Sequence, residues 1–269
     1  VTQSGNTIYL GGYFDYVGKY TGNGGAISLE TGNVDYSMPE VNGIIRCVIS
    51  DGNGGWYIGG DFSKVGDFNR NRIAHIKPDK SVNPDFNPSA NSTVYSLVLH
   101  GGSLFVGGSF TSIGGAGGRC LAELSPSSGL ATTWNPAPDG TVRTIAASGT
   151  TLYIGGLFLN VFSTARNKIA AFDLTTMELA GWNPDASTSV YSLAVSENTV
   201  YAGGDFTNIG GQDRGKIAAL DGTTGLATSW NPIADARVEK IVVNGSTVYA
   251  SGGFTFIGGQ SRNRIAALD

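Results

Sequence analysis

The chain has 269 residues, of which 41% are hydrophobic and 14% are charged, and its formal net charge is −4. This charge balance argues against a nucleic-acid-binding protein, because such proteins present a basic surface to the phosphate backbone. No apolar run approaches the roughly 18 residues of a membrane-spanning helix, so no membrane span is expected in this segment. Short Val, Ile, Tyr and Phe runs separated by Gly, Ser, Thr and Asn indicate an all-β protein with many tight turns.

A single repeat of 48 residues runs through the chain. Two aromatic columns keep this spacing without drift, and a Gly pair lies between them in most copies. The first column is Tyr9, Tyr57, Phe105, Tyr153, Tyr201 and Tyr249, and the second is Phe14, Phe62, Phe110, Phe158, Phe206 and Phe254. The predicted repeats occupy, in chain order, residues 1–40, 41–88, 89–136, 137–184, 185–232 and 233–269. A fixed period of this length indicates a repeat architecture.

Each repeat is expected to contain four short strands, as residues 189–231 illustrate. The predicted strands of this repeat are 190–195, 199–206, 216–221 and 225–230. A Gly-rich loop at Gly210-Gly211 separates the second strand from the third, and Asn231-Pro232 ends the fourth, since proline has no N–H to donate to a neighbouring strand. Short strands joined by turns in this way form an antiparallel meander.

One four-stranded sheet leaves both of its faces uncovered, whereas copies stacked around an axis bury both faces. The chain is therefore predicted to be an all-β protein, a β-propeller of about six blades with seven blades as the alternative. In this interpretation residues 1–269 form a single propeller domain. The chain starts within a first strand and stops after a third strand, so we expect a segment of a longer chain. Flanking residues or another chain are expected to complete the ring.

An aromatic column near the end of the repeats supplies candidate ligand-binding residues. Trp134, Trp182 and Trp230 occupy it, Phe86 takes the same place in an earlier repeat, and Asn-Pro follows each of them. A ring of tryptophans is one way to stack sugars. The interpretation favoured by the residues is structural, in which each ring closes the core between two blades and its N–H reaches a local carbonyl.

Two columns of positive charge precede the third strand. The first consists of Arg70, Arg166, Arg214 and Arg262, with Gly118 in the third repeat, and the second consists of Arg72, Lys168, Lys216 and Arg264. Repeated loop charges are either turn residues with a capping role or a ring of anion-binding sites, and an arginine fork suits carboxylates and backbone carbonyls equally. Both interpretations stay open, and the first column is a candidate for ligand binding.

The sequence offers no catalytic, metal or cofactor motif. The segment 51–55, Asp-Gly-Asn-Gly-Gly, has the composition of a calcium loop without its later Glu, so a widened hairpin turn is the preferred interpretation. His75 and His100 have no partner at ligand spacing and are expected to be ordinary strand or turn residues. Cys47 and Cys120 do not recur between repeats and are interpreted as core residues. We therefore expect no enzyme activity, no catalytic residue, no bound metal and no cofactor.

Three segments carry a resemblance to a known family. Residues 203–211 (GGDFTNIGG), 262–269 (RNRIAALD) and Trp230-Asn231-Pro232 resemble the delta-sixty type bacterial β-propeller repeat, which occurs in secreted and cell-surface proteins of unknown function. The likeness covers essentially the whole chain. It departs from the repeat in the first blade, where Gly24-Gly25-Ala26-Ile27 replaces the Arg-rich loop. The resemblance implies a propeller and an extracellular location, and it carries no catalytic residues over to this chain.

The leading hypothesis is a non-catalytic extracellular or cell-surface module that mediates adhesion, assembly or protein–protein interaction with other surface or secreted proteins. The alternative is a lectin-like propeller that binds glycans at repeated sites between blades. An enzyme working at the mouth of a central channel is the third hypothesis, because a fold by itself excludes no chemistry.

Overall fold

The computed structural model describes residues 2–4, 7–11, 16–17, 19–20, 23–118 and 120–269. Its contacts divide the chain into two compact units, Val1–Pro136 and Ala137–Asp269. The division falls between the third and fourth predicted repeats. Phe14, which opens the second aromatic column, lies outside the described residues.

The first unit consists of strands and turns in its described residues. Its strands are β1 (Thr2–Ser4), β2 (Thr7–Gly11), β3 (Tyr16–Val17), β4 (Lys19–Tyr20), β5 (Gly24–Ser28), β6 (Val34–Asp35), β7 (Ile45–Ser50), β8 (Trp56–Gly60), β9 (Lys64–Val65), β10 (Phe68–Asn69), β11 (Ile73–Ile76), β12 (Val94–His100), β13 (Ser103–Gly108), β14 (Ser112–Ile113), β15 (Ala116–Gly117) and β16 (Leu121–Leu124).

The second unit repeats the same order of elements. Its strands are β17 (Val142–Ser148), β18 (Thr151–Gly156), β19 (Asn160–Val161), β20 (Thr164–Ala165), β21 (Ile169–Asp173), β22 (Glu178–Leu179), β23 (Val190–Ser196), β24 (Thr199–Gly204), β25 (Asn208–Ile209), β26 (Gln212–Asp213), β27 (Ile217–Asp221), β28 (Val238–Asn244), β29 (Thr247–Gly252), β30 (Phe256–Ile257), β31 (Gln260–Ser261) and β32 (Ile265–Leu268).

Every predicted repeat forms one antiparallel sheet, so the all-β prediction is confirmed. The sheets have the orders β1-β2-β5-β6, β7-β8-β11, β12-β13-β16, β17-β18-β21-β22, β23-β24-β27 and β28-β29-β32. The predicted Gly-rich loop between the second and third strands is a small hairpin of its own, such as β25–β26. Gly210 and Gly211 form its tip with φ of 62° and 74°, the left-handed conformation that favours glycine.

The fourth strand is shorter than predicted. In the fifth repeat it is reduced to the bridge between Leu220 and Ala227, although the Thr228 N–H still donates to the Ala219 carbonyl at 2.9 Å. The Thr228 hydroxyl then accepts a hydrogen bond from the Trp230 N–H at 3.3 Å. A local side-chain bond of this kind turns the backbone away from the ladder, which explains the early end of the strand.

The first strand of the sheet contains a β-bulge at a constant place in the second to sixth repeats. In β23 the register shifts between Val190 and Ser192, so Tyr191 is the extra residue. Equivalent shifts occur in β7, β12, β17 and β28. In the second unit the hydroxyl beside the bulge bonds to the next repeat, as the Ser192 Oγ accepts from the Ile241 N–H at 2.9 Å in a buried position.

Successive repeats approach each other at the Gly pair. A Cβ on Gly155 would lie 2.6 Å from Val190 Cγ1 of the next repeat and 2.8 Å from Thr144 Cγ2. The residues that flank this contact are buried, and Phe158 and Phe206 are fully enclosed. The hydrophobic core therefore lies between adjacent repeats within each unit, as the repeat pattern predicts.

Candidate functional site

The first arginine column holds the hairpin to the end of its own repeat. In three of its four members, the guanidinium donates one hydrogen bond to the carbonyl of the preceding residue and at least one more to a carbonyl thirteen or fourteen residues on. The acceptors are Asn69, Asn83 and Pro84 for Arg70, Ala165 and Ala180 for Arg166, and Asp213 and Thr228 for Arg214, at 2.6 to 3.1 Å. The Nη donors of these three arginines are thus directed at the protein's own backbone.

Arg262 departs from this pattern. Its Nη1 donates to the Ala267 carbonyl at 3.2 Å and its Nη2 to the Gln260 side chain at 3.1 Å. It is half-buried, whereas Arg70 and Arg214 are only 5% and 9% exposed. Of the two interpretations of the first column, the geometry supports the capping role, and ligand binding at these arginines stays a prediction.

Backbone conformation, and not charge, is the shared property of the second column. Arg72, Cys120, Lys168, Lys216 and Arg264 all have φ between 61° and 66°. In the fifth repeat the Lys216 N–H donates to the Phe206 carbonyl, and its own carbonyl accepts from the Gly204 N–H, both at 2.9 Å. The same pair of bonds occurs at the other four positions. Cys120 has the same conformation without a charge, so the shared backbone geometry supports the interpretation of this column as turn residues.

The tryptophan column packs against the first aromatic column. The Trp182 and Tyr153 rings meet edge to face at 5.0 Å between centroids, Trp230 meets Tyr201 at 5.3 Å, and Trp134 meets Phe105 at 5.9 Å. Trp182 Nε1 donates to the Asp221 carbonyl of the next repeat at 3.0 Å, and Trp230 Nε1 donates to the Asp269 carbonyl at 2.8 Å. With Trp182 only 6% exposed, these contacts support the structural interpretation over a sugar-stacking ring.

A column of small polar residues, missed in the sequence, anchors the tip of each small hairpin. Its members are Asn42, Asn91, Asp139, Ser187 and Asp235. In each case a side-chain oxygen accepts two successive backbone N–H groups at 2.7 to 3.1 Å, which lie twenty and twenty-one residues on, or twenty-one and twenty-two residues on for Asn42. The signal was a position that is constant from Asn91 onward, and one residue out of register at Asn42, filled by three residue types that share an acceptor oxygen.

A polar cluster confined to the second repeat was also missed. His75 Nε2 lies 3.0 Å from Asp51 Oδ2, and His75 Nδ1 lies 3.1 Å from Asn83 Nδ2. Asp51 Oδ1 also accepts from the Asn53 and Gly55 N–H groups at 2.8 and 2.7 Å, which confirms the widened hairpin turn. His75 lies in strand β11, as expected, but it has a partner that its sequence spacing did not indicate, because strand pairing brings the turn and the third strand together.

The His75 ring is held by hydrogen bonds at its nitrogens and by contacts with two aromatic rings. The Asp51 carboxylate faces Nε2 and the Asn83 amide faces Nδ1, so both ring nitrogens have a hydrogen-bond partner. The ring stacks on Tyr57 at 4.3 Å and meets Phe86 edge to face. Burial, with a contribution from the Asp51 charge, raises the pKa of Tyr57 to about 12, so that phenol stays neutral.

These residues form one wall of an open cleft of about 560 Å³ between the second and third repeats. Asp51, Asn53, Tyr57, His75 and Asn83 belong to the second repeat. The third repeat contributes the segment 99–102, Pro126 and Ser127. The Tyr57 hydroxyl crosses between them and donates to the Pro126 carbonyl at 2.8 Å. This cleft is the candidate functional site.

Acid should weaken this cluster. Although burial alone would raise the pKa of Asp51, the hydrogen bonds from His75, Asn53 and Gly55 hold it below its ordinary value. A lowered folded-state pKa stabilises the fold above the unfolded value of about 3.9, and that contribution is lost as the pH falls through the folded value. We expect the Asp51 carboxyl carbon to titrate in NMR spectra with a midpoint below about 3.9. Asp51→Asn should flatten the fall in unfolding free energy below about pH 4. A midpoint above that value would contradict the assignment.

The guanidinium-to-carbonyl bonds of the first arginine column, called the arginine clamps below, predict a difference in stability between two variants. Arg214→Met removes two hydrogen bonds to carbonyls and leaves the Thr228 carbonyl without its donor, so we expect a loss of about 2 kcal/mol in urea unfolding. Arg262→Met, at the more exposed copy, should cost less than about 0.5 kcal/mol. Equal losses, or a phosphate-dependent rise in Tm that Arg214→Met abolishes, would favour the anion-binding interpretation instead.

Comparison with known proteins supports the fold. Residues 52–86 match a family model described as a domain of unknown function (DUF5122) beta-propeller. The crystal structure of the computationally designed Ika8 protein aligns with 97% of this chain and 71% of that chain, with a TM-score of 0.58 and 13% identity. The designed Ika4 protein aligns with 66% of this chain and 91% of that chain, with a TM-score of 0.45 and 12% identity. A search of curated proteins found no match.

The fold is thus all-β, made of repeated antiparallel sheets consistent with a β-propeller, as the 48-residue repeat predicts. Within the described parts of the chain there is no group of three or more His, Cys, Asp or Glu side chains placed to hold a metal ion. No helix in those same parts is long and apolar enough to cross a membrane.

Proposed function

We propose that this propeller is a non-catalytic module of an extracellular or cell-surface protein, where it supports adhesion or assembly through contacts with other surface or secreted proteins. The observation that carries the proposal is the use of the repeated polar residues. The arginine clamps and the small polar residues that anchor the hairpin tips form hydrogen bonds with the chain's own backbone. The indole N–H groups of Trp182 and Trp230 also donate to backbone carbonyls. Such a chain is built as a rigid scaffold whose exposed loops are left for partners.

The residues of the loops also support this role. The hairpin tips and turns are rich in Ser, Thr, Asn and Gly, and charged residues make up only 14% of the chain. The segments 203–211 and 262–269 resemble the delta-sixty repeat of bacterial secreted and surface proteins, which supports the location. Among the residues of the cleft, His75 has both nitrogens bonded, which favours a structural use of this imidazole over proton transfer.

The location is tested by labelling intact cells of the source organism with a membrane-impermeant biotin reagent. We expect the chain to be labelled on whole cells or recovered from the medium, and terminal peptide mass spectrometry should identify the segments that flank it. A cytosolic protein of known abundance serves as the control for lysis. Recovery of the chain only from the cytosol would contradict the surface-module proposal.

We also propose that a further repeat of the same type, from flanking residues or another chain, covers the last sheet of the ring. Ile265 is 69% exposed and Tyr249 44%, whereas Ile169 and Ile217, in the column of Ile265, are fully buried under the next repeat. An apolar face of this kind is normally covered. The same residue types at the same positions argue that the covering element is another copy of the repeat.

A further inference from the structure

We propose that the cleft between the second and third repeats binds a neutral saccharide. The described residues that line this cleft include no Trp or Arg, so it differs from the repeated-site hypothesis, and it goes beyond the scaffold function proposed above. It is distinguished by residues that the other repeats lack, since the histidine, the widened turn and Asn83 occur together only in the second repeat.

The charges of the cleft select a neutral ligand. No lysine or arginine is present among the described residues that line it, so an anionic ligand would find no permanently charged cation there. Its carboxylate, Asp51, already accepts bonds from two backbone N–H groups and from His75. A charge satisfied in this way adds little attraction for a cation, because its lone pairs are directed at protein donors.

The walls offer the mixture of groups that sugars need. Asn53 and Ser127 are exposed side chains on opposite walls, and each can both donate and accept hydrogen bonds. The turn at Gly101-Gly102, with φ of 59° and 81°, adds the backbone polar groups of a hairpin tip. Leu99 and Pro126 supply apolar surface for the C–H faces of a sugar ring. The volume of the cleft lies in the range of small-molecule sites.

The floor of the cleft is held rigid by its own bonds. His75 is fixed from both nitrogens and stacked on Tyr57, and the Tyr57 hydroxyl bonds across to the Pro126 carbonyl of the other wall. The two walls therefore keep their spacing in the absence of ligand. A site that is already ordered loses little conformational entropy on binding. This low cost helps ligands that make few strong contacts, such as sugars, to bind.

Saturation-transfer difference NMR on the whole chain tests the proposal. The probes are glucose, galactose, mannose, N-acetylglucosamine and lactose, with glucuronic acid and N-acetylneuraminic acid as anionic comparisons. We expect at least one neutral sugar to bind with a millimolar Kd, and the anionic sugars to bind more weakly. Binding to none of the neutral sugars, or a preference for the anionic ones, would overturn the proposal.

Blocking variants locate the binding. Ser127→Trp and Asn53→Trp each place a large ring in the cleft from an exposed turn, and each should raise the Kd by roughly tenfold or more. Thr175→Trp introduces the same ring at the equivalent exposed position 48 residues later and should leave the Kd unchanged. All three should keep the Tm of the parent chain. Sugar binding that survives both blocking variants would place it elsewhere and overturn the site. The surface-labelling result is independent of either outcome.

Discussion

Gly156→Ala is expected to destabilise the protein by about 3 kcal/mol, although it adds a single methyl group. A Cβ at this position would overlap the carbonyl oxygen of Thr141, the residue just before the neighbouring strand β17. That same carbonyl accepts the Leu157 N–H at 2.8 Å, while the Gly156 N–H donates to Lys168 at 2.8 Å. The methyl group can be accommodated only if β17 moves away from β18, which breaks a bond of the ladder and opens the core beneath it.

The control is Gly253→Ala, which directly follows Gly252, the residue equivalent to Gly156 in the last repeat. A Cβ on Gly253 has no neighbouring atom within 4 Å, and its φ is not in the left-handed region. We expect this variant to stay within about 0.5 kcal/mol of the parent in urea unfolding. If the two variants unfold at the same urea concentration, the Gly pair is not a site of close approach and the packing between repeats must be described differently.

The fold could be predicted because the same constraint recurs at a fixed spacing. A Gly pair in one strand would be ambiguous, since glycine normally weakens a strand. Repeated at the same place with Phe two residues later, it indicates a backbone that approaches a neighbour, and Gly155 against Val190 shows that approach. The fourth strand was harder to predict, because the Thr228 hydroxyl bond that ends it depends on local geometry and not on hydrophobic pattern.

The candidate site could not be predicted, because it breaks the repeat. Asp51, His75 and Asn83 are 24 and 8 residues apart in sequence, and their spacing matches no ligand motif. They meet only because β7, β8 and β11 are adjacent in one sheet and the turn after β7 is widened. The role of the arginine column was left open for a related reason. A guanidinium fork fits a carbonyl and an anion equally, and only the position of the Thr228 carbonyl beside Arg214 separates the two.

Ile217→Ala should cost about 3 kcal/mol, whereas Ile265→Ala, one repeat later in the same column, should cost less than about 0.5 kcal/mol. The two residues are the first residues of β27 and β32, and they pair with the equivalent strands β24 and β29 of their own sheets. Ile217 is fully buried in the core beneath the last repeat, and Ile265 is 69% exposed. The difference in cost therefore measures what the cover of a following repeat contributes, since side-chain chemistry and strand position are held constant.

Urea unfolding of both variants checks this expectation, with the change in midpoint converted at a common slope. The comparison also bears on the proposed cover of the last sheet. If a second copy of the chain supplies the cover, the cost of Ile265→Ala should rise with protein concentration, because association stabilises only the covered state. If flanking residues supply it, the cost stays small at all concentrations in this chain and rises to that of Ile217→Ala when a following repeat is joined to Asp269. Equal costs for the two isoleucines at low concentration would contradict the open face, since the apolar side chain of Ile265 would then already be buried.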